Sequence, residues 1–171
     1  MKILIVVDMQ KDFIDGALGT KEALSIVPVV QKKIEQSNKD GDVILFTRDT
    51  HSKDYLQTQE GRLLPVPHCI KNTSGWQINS DLDTQGAFIV DKPSFGSLEL
   101  ADWIKQNYPQ VQEIELIGLC TDICVLSNAV ILKAAFPEVI ISVDSTACAG
   151  VTPDSHRNAL EAMKMCQIQV K

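Results

Sequence analysis

The chain has 171 residues, which suits one domain, since chains usually divide into separate cores only beyond roughly 250–300 residues. Its 44% hydrophobic and 22% charged residues exclude a disordered or low-complexity protein. The 16 basic and 22 acidic side chains give a net charge of −6, and the basic residues are scattered, which argues against a nucleic-acid partner. No apolar stretch approaches the roughly 20 residues that a membrane helix needs, so we expect no membrane partner.

The amino terminus and the cysteines indicate a reducing environment. The apolar run 3–7 stops at an acid without a small-residue cleavage site, and we interpret it as a core strand rather than a signal peptide. Five cysteines are an odd number and lack the tight framework of a small secreted domain. We therefore expect a cytoplasmic protein with free thiols, most of them core residues, Cys166 included.

Short apolar runs alternate along the chain with segments of helical spacing. Strands buried on both faces are predicted over 3–7, 43–46, 87–90, 114–117 and 139–143, with a last short strand over 168–170. Helices are predicted over 21–38, from Leu98 to near Pro109, over 121–135 and over 154–165. Strict alternation predicts an α/β fold, a parallel sheet flanked by helices on both faces, within a single domain over 1–171.

One stretch breaks this alternation. Residues 49–86 have no clean period, and they follow the carboxyl end of the second strand, where open parallel sheets bind ligands. A long loop of this kind usually has a functional reason. No glycine-rich motif follows the first strand, so the sequence gives no support for nucleotide binding.

Three reactive side chains are predicted near carboxyl ends of strands. Asp8 ends the first strand, Lys92 the third, and Cys124 follows the fourth. These ends meet on one rim of a parallel sheet, so an acid, an amine and a thiol can converge there as a nucleophilic site. Cys124 would lie in the opening turn of the 121–135 helix, where backbone N–H groups favour a thiolate and can bind an oxyanion.

Each of these residues also has an ordinary interpretation. Asp8 alone fits a turn residue, and Lys92 alone fits a solvated surface group. Cys120 and Cys124 together fit a redox or zinc pair, although they are separated by three residues rather than two, and the chain has no second such pair.

The sequence resembles the isochorismatase-like cysteine hydrolases, and within them the nicotinamidase (pyrazinamidase) branch. The resemblance covers nearly the whole chain. Three motifs carry it, in the same order as in the family and each at a predicted strand end: Asp-Met-Gln-Lys-Asp-Phe over 8–13, Lys-Pro-Ser-Phe-Gly over 92–96 and Gly-Leu-Cys-Thr-Asp-Ile-Cys-Val over 118–125.

This resemblance implies a three-layer αβα fold and a catalytic triad of Asp8, Lys92 and Cys124. It also implies a non-proline cis peptide between Leu119 and Cys120, with the N–H groups of Cys120 and Cys124 facing the oxyanion.

The stretch 49–86 contains a predicted metal site. Asp49 and His51 alternate along the chain, so their side chains can face the same way, and His68 follows later with Glu60 before it. One carboxylate and two imidazoles, with Glu60 as a fourth ligand, suit zinc first, and iron or manganese as alternatives. Solvated loop residues are the competing interpretation. The resemblance favours the metal, because the branch has an Asp-x-His pair and a later histidine that match Asp49, His51 and His68.

The resemblance also indicates the substrate and one departure from the family. A metal at this site would hold the pyridine nitrogen of nicotinamide, and Phe13 matches one aromatic wall around the ring. The second wall is missing from its expected place, because the sequence reads Leu64-Pro65-Val66-Pro67-His68. We consider Trp76 as its replacement.

The resulting hypothesis is a metal-containing amidohydrolase that converts nicotinamide to nicotinate and ammonia through a thioester, a reaction of NAD salvage. Two alternatives remain. The first is a relative with the same triad and another substrate, such as a different amide, a carbamoyl compound or an enol ether. The second is a noncatalytic member that binds a small molecule. Relatives often form homo-oligomers, but the sequence shows no interface signal.

Overall fold

The computed structural model describes residues 1–171 and contains one six-stranded sheet. All strands are parallel and lie in the order β3-β2-β1-β4-β5-β6. The strands are β1 (Lys2–Val7), β2 (Val43–Asp49), β3 (Phe88–Lys92), β4 (Glu113–Leu119), β5 (Ile140–Ala149) and β6 (Gln169–Val170). The parallel α/β class expected from the alternation is confirmed.

Six α-helices connect or follow these strands. They are α1 (Lys11–Ile14), α2 (Lys21–Asp40), α3 (Gln59–Leu63), α4 (Leu98–Asn107), α5 (Leu126–Ala135) and α6 (Pro153–Met165). Thr20, Ser97 and Thr152 each cap a helix by accepting a hydrogen bond from a backbone N–H of its first turn. None of the helices is both long and apolar enough to cross a membrane.

The sheet separates two apolar cores. Along β1, Ile3, Ile5 and Val7 point into one core, while Leu4 and Val6 point into the other, as the twofold period of a strand requires. The first core is completed by buried residues of α4, α5 and α6, and the second by the apolar face of α2. Helices therefore cover both faces, which is why the strands are apolar at consecutive positions.

Several predicted boundaries differ from the structure. The fifth strand runs to Ala149 instead of 143, and the segment predicted as one helix over 121–135 opens with a wide π-helical turn, Thr121–Val125, before α5. The aperiodic stretch 49–86 contains a 3₁₀ turn, Tyr55–Gln57, and α3. These elements are too short to give a period. The prediction that Cys166 is a core residue is wrong, because Cys166 follows the last turn of α6 and is exposed.

The chain order changes direction between β1 and β4, and this position defines the site. Later strands are added outward on each side of the β1–β4 pair, so a crevice opens above their carboxyl ends. Gly118 lies near the end of β4 with φ of 113°, and a Cβ there would lie 2.2 Å from the carbonyl oxygen of Val7. Only glycine therefore allows the two strand ends to approach so closely.

Candidate active site

Asp8, Lys92 and Cys124 meet at the carboxyl rim of the sheet, as the strand ends predicted. Lys92 Nζ lies 2.6 Å from Asp8 Oδ2 and 3.5 Å from Cys124 Sγ, and it also donates to the carbonyl oxygen of Ser94 at 3.0 Å. Asp8 and Lys92 are completely buried, and Cys124 is nearly so. The ordinary interpretations of Asp8 as a turn residue and Lys92 as a solvated group therefore do not apply.

Thr47, which the sequence analysis missed, fixes the orientation of Asp8. Its hydroxyl donates to Asp8 Oδ1 at 2.6 Å, and it faces Val7 across the β1–β2 pair. Asp8 has φ of 48°, so the chain turns away from the sheet at this residue. With Oδ1 held by Thr47, Oδ2 faces Lys92. A lone buried threonine in a strand carries no signal that could have revealed this role.

Burial and mutual charge shift the protonation of all three groups. Burial is the largest effect on Cys124 and raises the pKa of its thiol; the charge of Asp8 raises it further, while Lys92 lowers it. Burial also raises the pKa of Asp8 against the lowering effect of Lys92. For Lys92, burial alone would lower the pKa, but Asp8 and Cys124 outweigh it and raise the pKa. Lys92 therefore stays protonated, and the acid and the thiol compete for one proton.

The loop and turn around Cys124 are held by Asn128. The Asn128 side-chain amide donates to the carbonyl oxygens of Cys124 and Phe95 at 2.8 and 3.1 Å, and its Oδ1 accepts from the N–H of Ser97 at 3.0 Å. The peptide between Leu119 and Cys120 is cis, as the family resemblance implied. Asn128 thus joins the π-helical turn to the 93–97 segment that follows Lys92.

Asp49, His51, Glu60 and His68 form one compact cluster. Their ligand atoms all lie within 4.8 Å of one another, with His51 Nε2 at 2.9 Å and His68 Nε2 at 3.5 Å from Asp49 Oδ2. Glu60 Oε1 lies 3.5 Å from His51 Nε2 and 3.7 Å from His68 Nε2. Two imidazoles and two carboxylates facing one point match the donor set of a divalent transition metal such as zinc.

Hydrogen bonds outside the cluster orient its members. His68 Nδ1 lies 2.8 Å from the carbonyl oxygen of Val66, which fixes the proton on Nδ1 and leaves Nε2 as the ligand atom. Burial would raise the pKa of Asp49, but the neighbouring His51 and His68 imidazoles and the charge of Lys92 keep it well below its usual value. Asp49 therefore remains a carboxylate ready to bind a cation.

A cavity of about 260 Å³ connects the cluster with the thiol. Asp49, Glu60 and His68 of the cluster line it together with Cys120 and Cys124. The remaining walls are mainly apolar: Phe13, Leu18, Thr20, Ala23, Leu64, Phe95, Leu119, Ile123, Gly150 and Val151. An enclosed apolar pocket with a few convergent polar groups is the usual form of a small-molecule site.

The walls of this cavity correct one expectation. Trp76 does not replace the missing aromatic wall, because it lies outside the cavity with its indole N–H donating to Thr50 and Arg48 stacked on its ring at 3.7 Å. Phe13 lines the cavity as expected, and Leu64 and Phe95 supply the rest near the metal end. Phe95 lies in a loop after β3, where no hydrophobic period could have predicted its role.

Comparison with known proteins identifies the class to which this fold and site belong. The isochorismatase domain model matches residues 2–170, so the chain belongs to the isochorismatase family. A nicotinamidase/pyrazinamidase of Mycobacterium tuberculosis is 26% identical, over 99% of this chain and 98% of that protein.

Solved structures agree with this assignment. The pyrazinamidase of Pyrococcus horikoshii, solved in complex with zinc, is 32% identical with a TM-score of 0.85, covering 99% of this chain and 98% of that one. The pyrazinamidase/nicotinamidase of Streptococcus mutans is 28% identical with a TM-score of 0.86, covering 100% of both chains. These similarities confirm the resemblance to the nicotinamidase branch.

Proposed function

We propose that this protein hydrolyses nicotinamide to nicotinate and ammonia, with Cys124 as the nucleophile. Its relatives are nicotinamidases and pyrazinamidases, which makes it an amide hydrolase. The observation that carries the proposal is the cavity that joins a buried acid-amine-thiol group to a two-histidine, two-carboxylate cluster. A small aromatic amide with a ring nitrogen can place its amide at the thiol and its ring nitrogen at the metal cluster at the same time.

In the first half of the reaction, the Asp8 carboxylate takes the thiol proton as Cys124 Sγ attacks the carbonyl carbon. The carbon–sulfur bond forms, and the carbonyl electron pair moves to oxygen, where the N–H groups of Cys120 and Cys124 stabilise the oxyanion. The tetrahedral species then collapses, the carbon–nitrogen bond breaks, and Asp8 returns the proton to the departing nitrogen. Ammonia leaves and a thioester on Cys124 remains.

In the second half, the oxygen of a water molecule attacks the thioester carbon while Asp8 takes a proton from that water. The same N–H groups stabilise the second oxyanion. The carbon–sulfur bond then breaks, Asp8 returns the proton to the sulfur, and the product leaves as nicotinic acid, which loses its remaining proton to solvent and becomes nicotinate. Throughout, Lys92 compensates the negative charge that alternates between Asp8 and Cys124, because its Nζ contacts both.

Asp49, His51, His68 and Glu60 are the residues that would hold a divalent metal. Zinc suits this donor set, since His68 Nε2 is free to bind and the Asp49 carboxylate is ionised. Such an ion, when bound, supplies a Lewis acid that binds the pyridine nitrogen and fixes the ring. Phe13, whose ring centroid lies 5.5 Å from that of His68, packs beside that position.

Ammonia release from nicotinamide by the purified, zinc-loaded protein tests this function. Cys124→Ala should abolish release, whereas Cys166→Ala, a matched change at an exposed thiol, should leave it unchanged. Mass spectrometry of the quenched reaction should show the nicotinoyl thioester on Cys124. Turnover by Cys124→Ala at the wild-type rate would refute the mechanism. A protein that hydrolyses another small amide but not nicotinamide would refute the substrate assignment.

A further inference from the structure

Gln10 and Asp12, in the motif after β1, have no part in the proposed reaction, although the side chain of each forms more than one hydrogen bond to the backbone. We propose that Gln10 and Asp12 are positioning residues that hold the backbone segments carrying Asp49 and His68, and thereby set the metal affinity of the cluster. This role rests on the metal site of the proposed function, and does not depend on the chemistry at Cys124.

Gln10 is completely buried and bonds only to backbone groups. Its Nε2 donates to the carbonyl oxygens of Asp49 and Trp76 at 2.8 and 2.9 Å, and its Oε1 accepts from the N–H of Asp49 at 2.7 Å. Pairing between β1 and β2 ends at Val7 and Thr47. Beyond that point the Gln10 amide takes the place of a neighbouring strand and fixes both backbone groups of Asp49.

Asp12 holds the other segment. Its Oδ2 accepts from the N–H of Cys69 at 2.8 Å, and its own N–H donates to the carbonyl oxygen of Gly75 at 3.0 Å. Cys69 directly follows His68 and has φ of 47°, a left-handed conformation that needs outside support in a residue other than glycine. The bond to Asp12 supplies that support and sets the direction in which His68 leaves the turn.

Gly75 shows how closely this segment is packed against Asp12. A Cβ at residue 75 would lie 2.1 Å from Asp12 Oδ2, so only glycine leaves room for the carboxylate. Asp12 is also adjacent to Phe13, and its carbonyl oxygen accepts from the N–H of Leu18 at 2.8 Å. The same residue therefore ties two cavity walls to the segment that carries His68.

Neither Gln10 nor Asp12 lines the cavity, and neither side chain forms a hydrogen bond with Asp8, Lys92 or Cys124. Gln10 acts on the cluster through the backbone of Asp49, and Asp12 through the backbone of Cys69, the residue after His68. Outer-shell groups that orient metal ligands typically change metal affinity by about 10- to 100-fold when they are removed. The structure therefore separates two uses of one motif: Asp8 serves the thiol, and the next two alternate residues serve the metal.

The test measures zinc affinity by competition with a coloured chelator, using Gln10→Met and Asp12→Ala. We expect each change to weaken zinc binding by about 10- to 100-fold. Asp12→Asn keeps an oxygen acceptor for the Cys69 N–H and should restore most of the affinity. The controls are the exposed neighbours Asp15→Ala and Gln77→Met, which should bind zinc like the wild type.

A second readout separates positioning from a general loss of structure. In the metal-free proteins, the rate at which iodoacetamide alkylates Cys124 should stay within about twofold of wild type, because neither side chain forms a hydrogen bond with Asp8, Lys92 or Cys124. Where Asp12→Ala fails to fold, Gly75→Ala is the alternative, since its Cβ displaces the carboxylate; Gln10→Asn serves in the same way for Gln10. Each should weaken zinc binding in the same direction.

Unchanged zinc affinity in both Gln10→Met and Asp12→Ala would overturn the positioning role. Equal losses of zinc affinity and of Cys124 alkylation would overturn it too, because they would show a purely structural effect. A wild-type protein that binds zinc without releasing ammonia from nicotinamide would refute the proposed reaction alone. Different results would therefore refute the positioning role and the proposed reaction.

Discussion

Lys92 and Asp8 form a fully buried ion pair, with Nζ 2.6 Å from Oδ2. The same Nζ lies 3.6 Å from Asp49 Oδ1, the oxygen that faces away from the histidines of the metal cluster. Lys92 and Asp49 are register partners across β2 and β3. One ammonium group therefore connects the nucleophile with the metal site, and the parallel sheet brings the two together.

Lys92→Met should abolish most activity and destabilise the protein. Without the ammonium, only the Thr47 hydrogen bond still opposes the effect of burial on Asp8, so its pKa rises further and the acid is protonated when it should accept a proton. We expect turnover to fall at least about 100-fold. The free energy of unfolding, measured with urea, should fall by about 3 kcal/mol because a buried charge loses its partner. Lys71→Met, which removes an exposed lysine near Asp91, is the control. Turnover within twofold of wild type would contradict this role.

Asp8→Asn should separate thiol reactivity from catalysis. Burial and then the Asp8 charge raise the pKa of Cys124, so removing that charge lowers the pKa and increases the thiolate fraction at neutral pH. Alkylation of Cys124 by iodoacetamide should therefore become faster at pH 7, and its alkaline midpoint should move to lower pH. Turnover should nevertheless fall by about 10²- to 10⁴-fold, because the proton acceptor is gone. Slower alkylation in this variant would contradict the prediction that the Asp8 charge raises the pKa of the Cys124 thiol.

The sequence predicted those features that follow from strand ends. Asp8, Lys92 and Cys124 each lie at or just after the carboxyl end of a strand, and a parallel sheet places such ends on one rim. Thr47 and Gln10 could not be predicted in this way. Their roles depend on which strand lies beside which and on where pairing stops, and neither is visible in a local pattern.

The metal cluster in the long loop could also be predicted from the sequence only in part. Asp49 and His51 are close in sequence, so their proximity follows from strand alternation. The distance from Glu60 to the histidines depends on α3, a five-residue helix that is too short for a hydrophobic period. The prediction that Trp76 replaces the second aromatic wall is wrong, because its indole N–H donates to the Thr50 hydroxyl and its side chain does not line the cavity.

Metal removal should lower thermal stability as well as activity. A ligand that binds only the folded protein stabilises it by about 2.7 kcal/mol at a hundred times its Kd, so zinc should raise the Tm measured by calorimetry. The chelator-treated protein should lose this increase and regain it when zinc is added. His51→Ala should abolish the zinc-dependent rise, whereas His156→Ala, which removes the histidine outside the cluster, should retain it. A wild-type Tm that does not change when zinc is added would refute the metal site.

Leu64→Trp should restore an aromatic wall to the cavity. Leu64 lines the cavity together with Phe13 and is 39% exposed, so a larger side chain has room to extend. Stacking on an aromatic ring is worth about 0.5–1.5 kcal/mol, which corresponds to a KM for nicotinamide about 2- to 10-fold lower. Leu56→Trp, at an exposed position outside the cavity, is the control. A KM that rises in Leu64→Trp would show that the aliphatic wall leaves space that the substrate needs.

Glu115→Gln should change how stability depends on pH, far from the active site. Burial would raise the pKa of Glu115, but Lys2 at 2.8 Å and Lys33 at 3.3 Å outweigh it and keep the pKa below its ordinary value. A carboxyl whose pKa is lower in the folded state stabilises the protein above its unfolded pKa, and this stabilisation disappears as the pH falls through the folded pKa. At pH 7 the variant should lose about 2 kcal/mol of unfolding free energy, the scale of a hydrogen bond to a charged group.

Urea unfolding from pH 7 to pH 3 should show the unfolding free energies of the wild type and Glu115→Gln converging as the pH falls. A difference that grows on acidification would contradict the assigned pKa shift. Glu99→Gln, on the exposed face of α4, should track the wild type across the range.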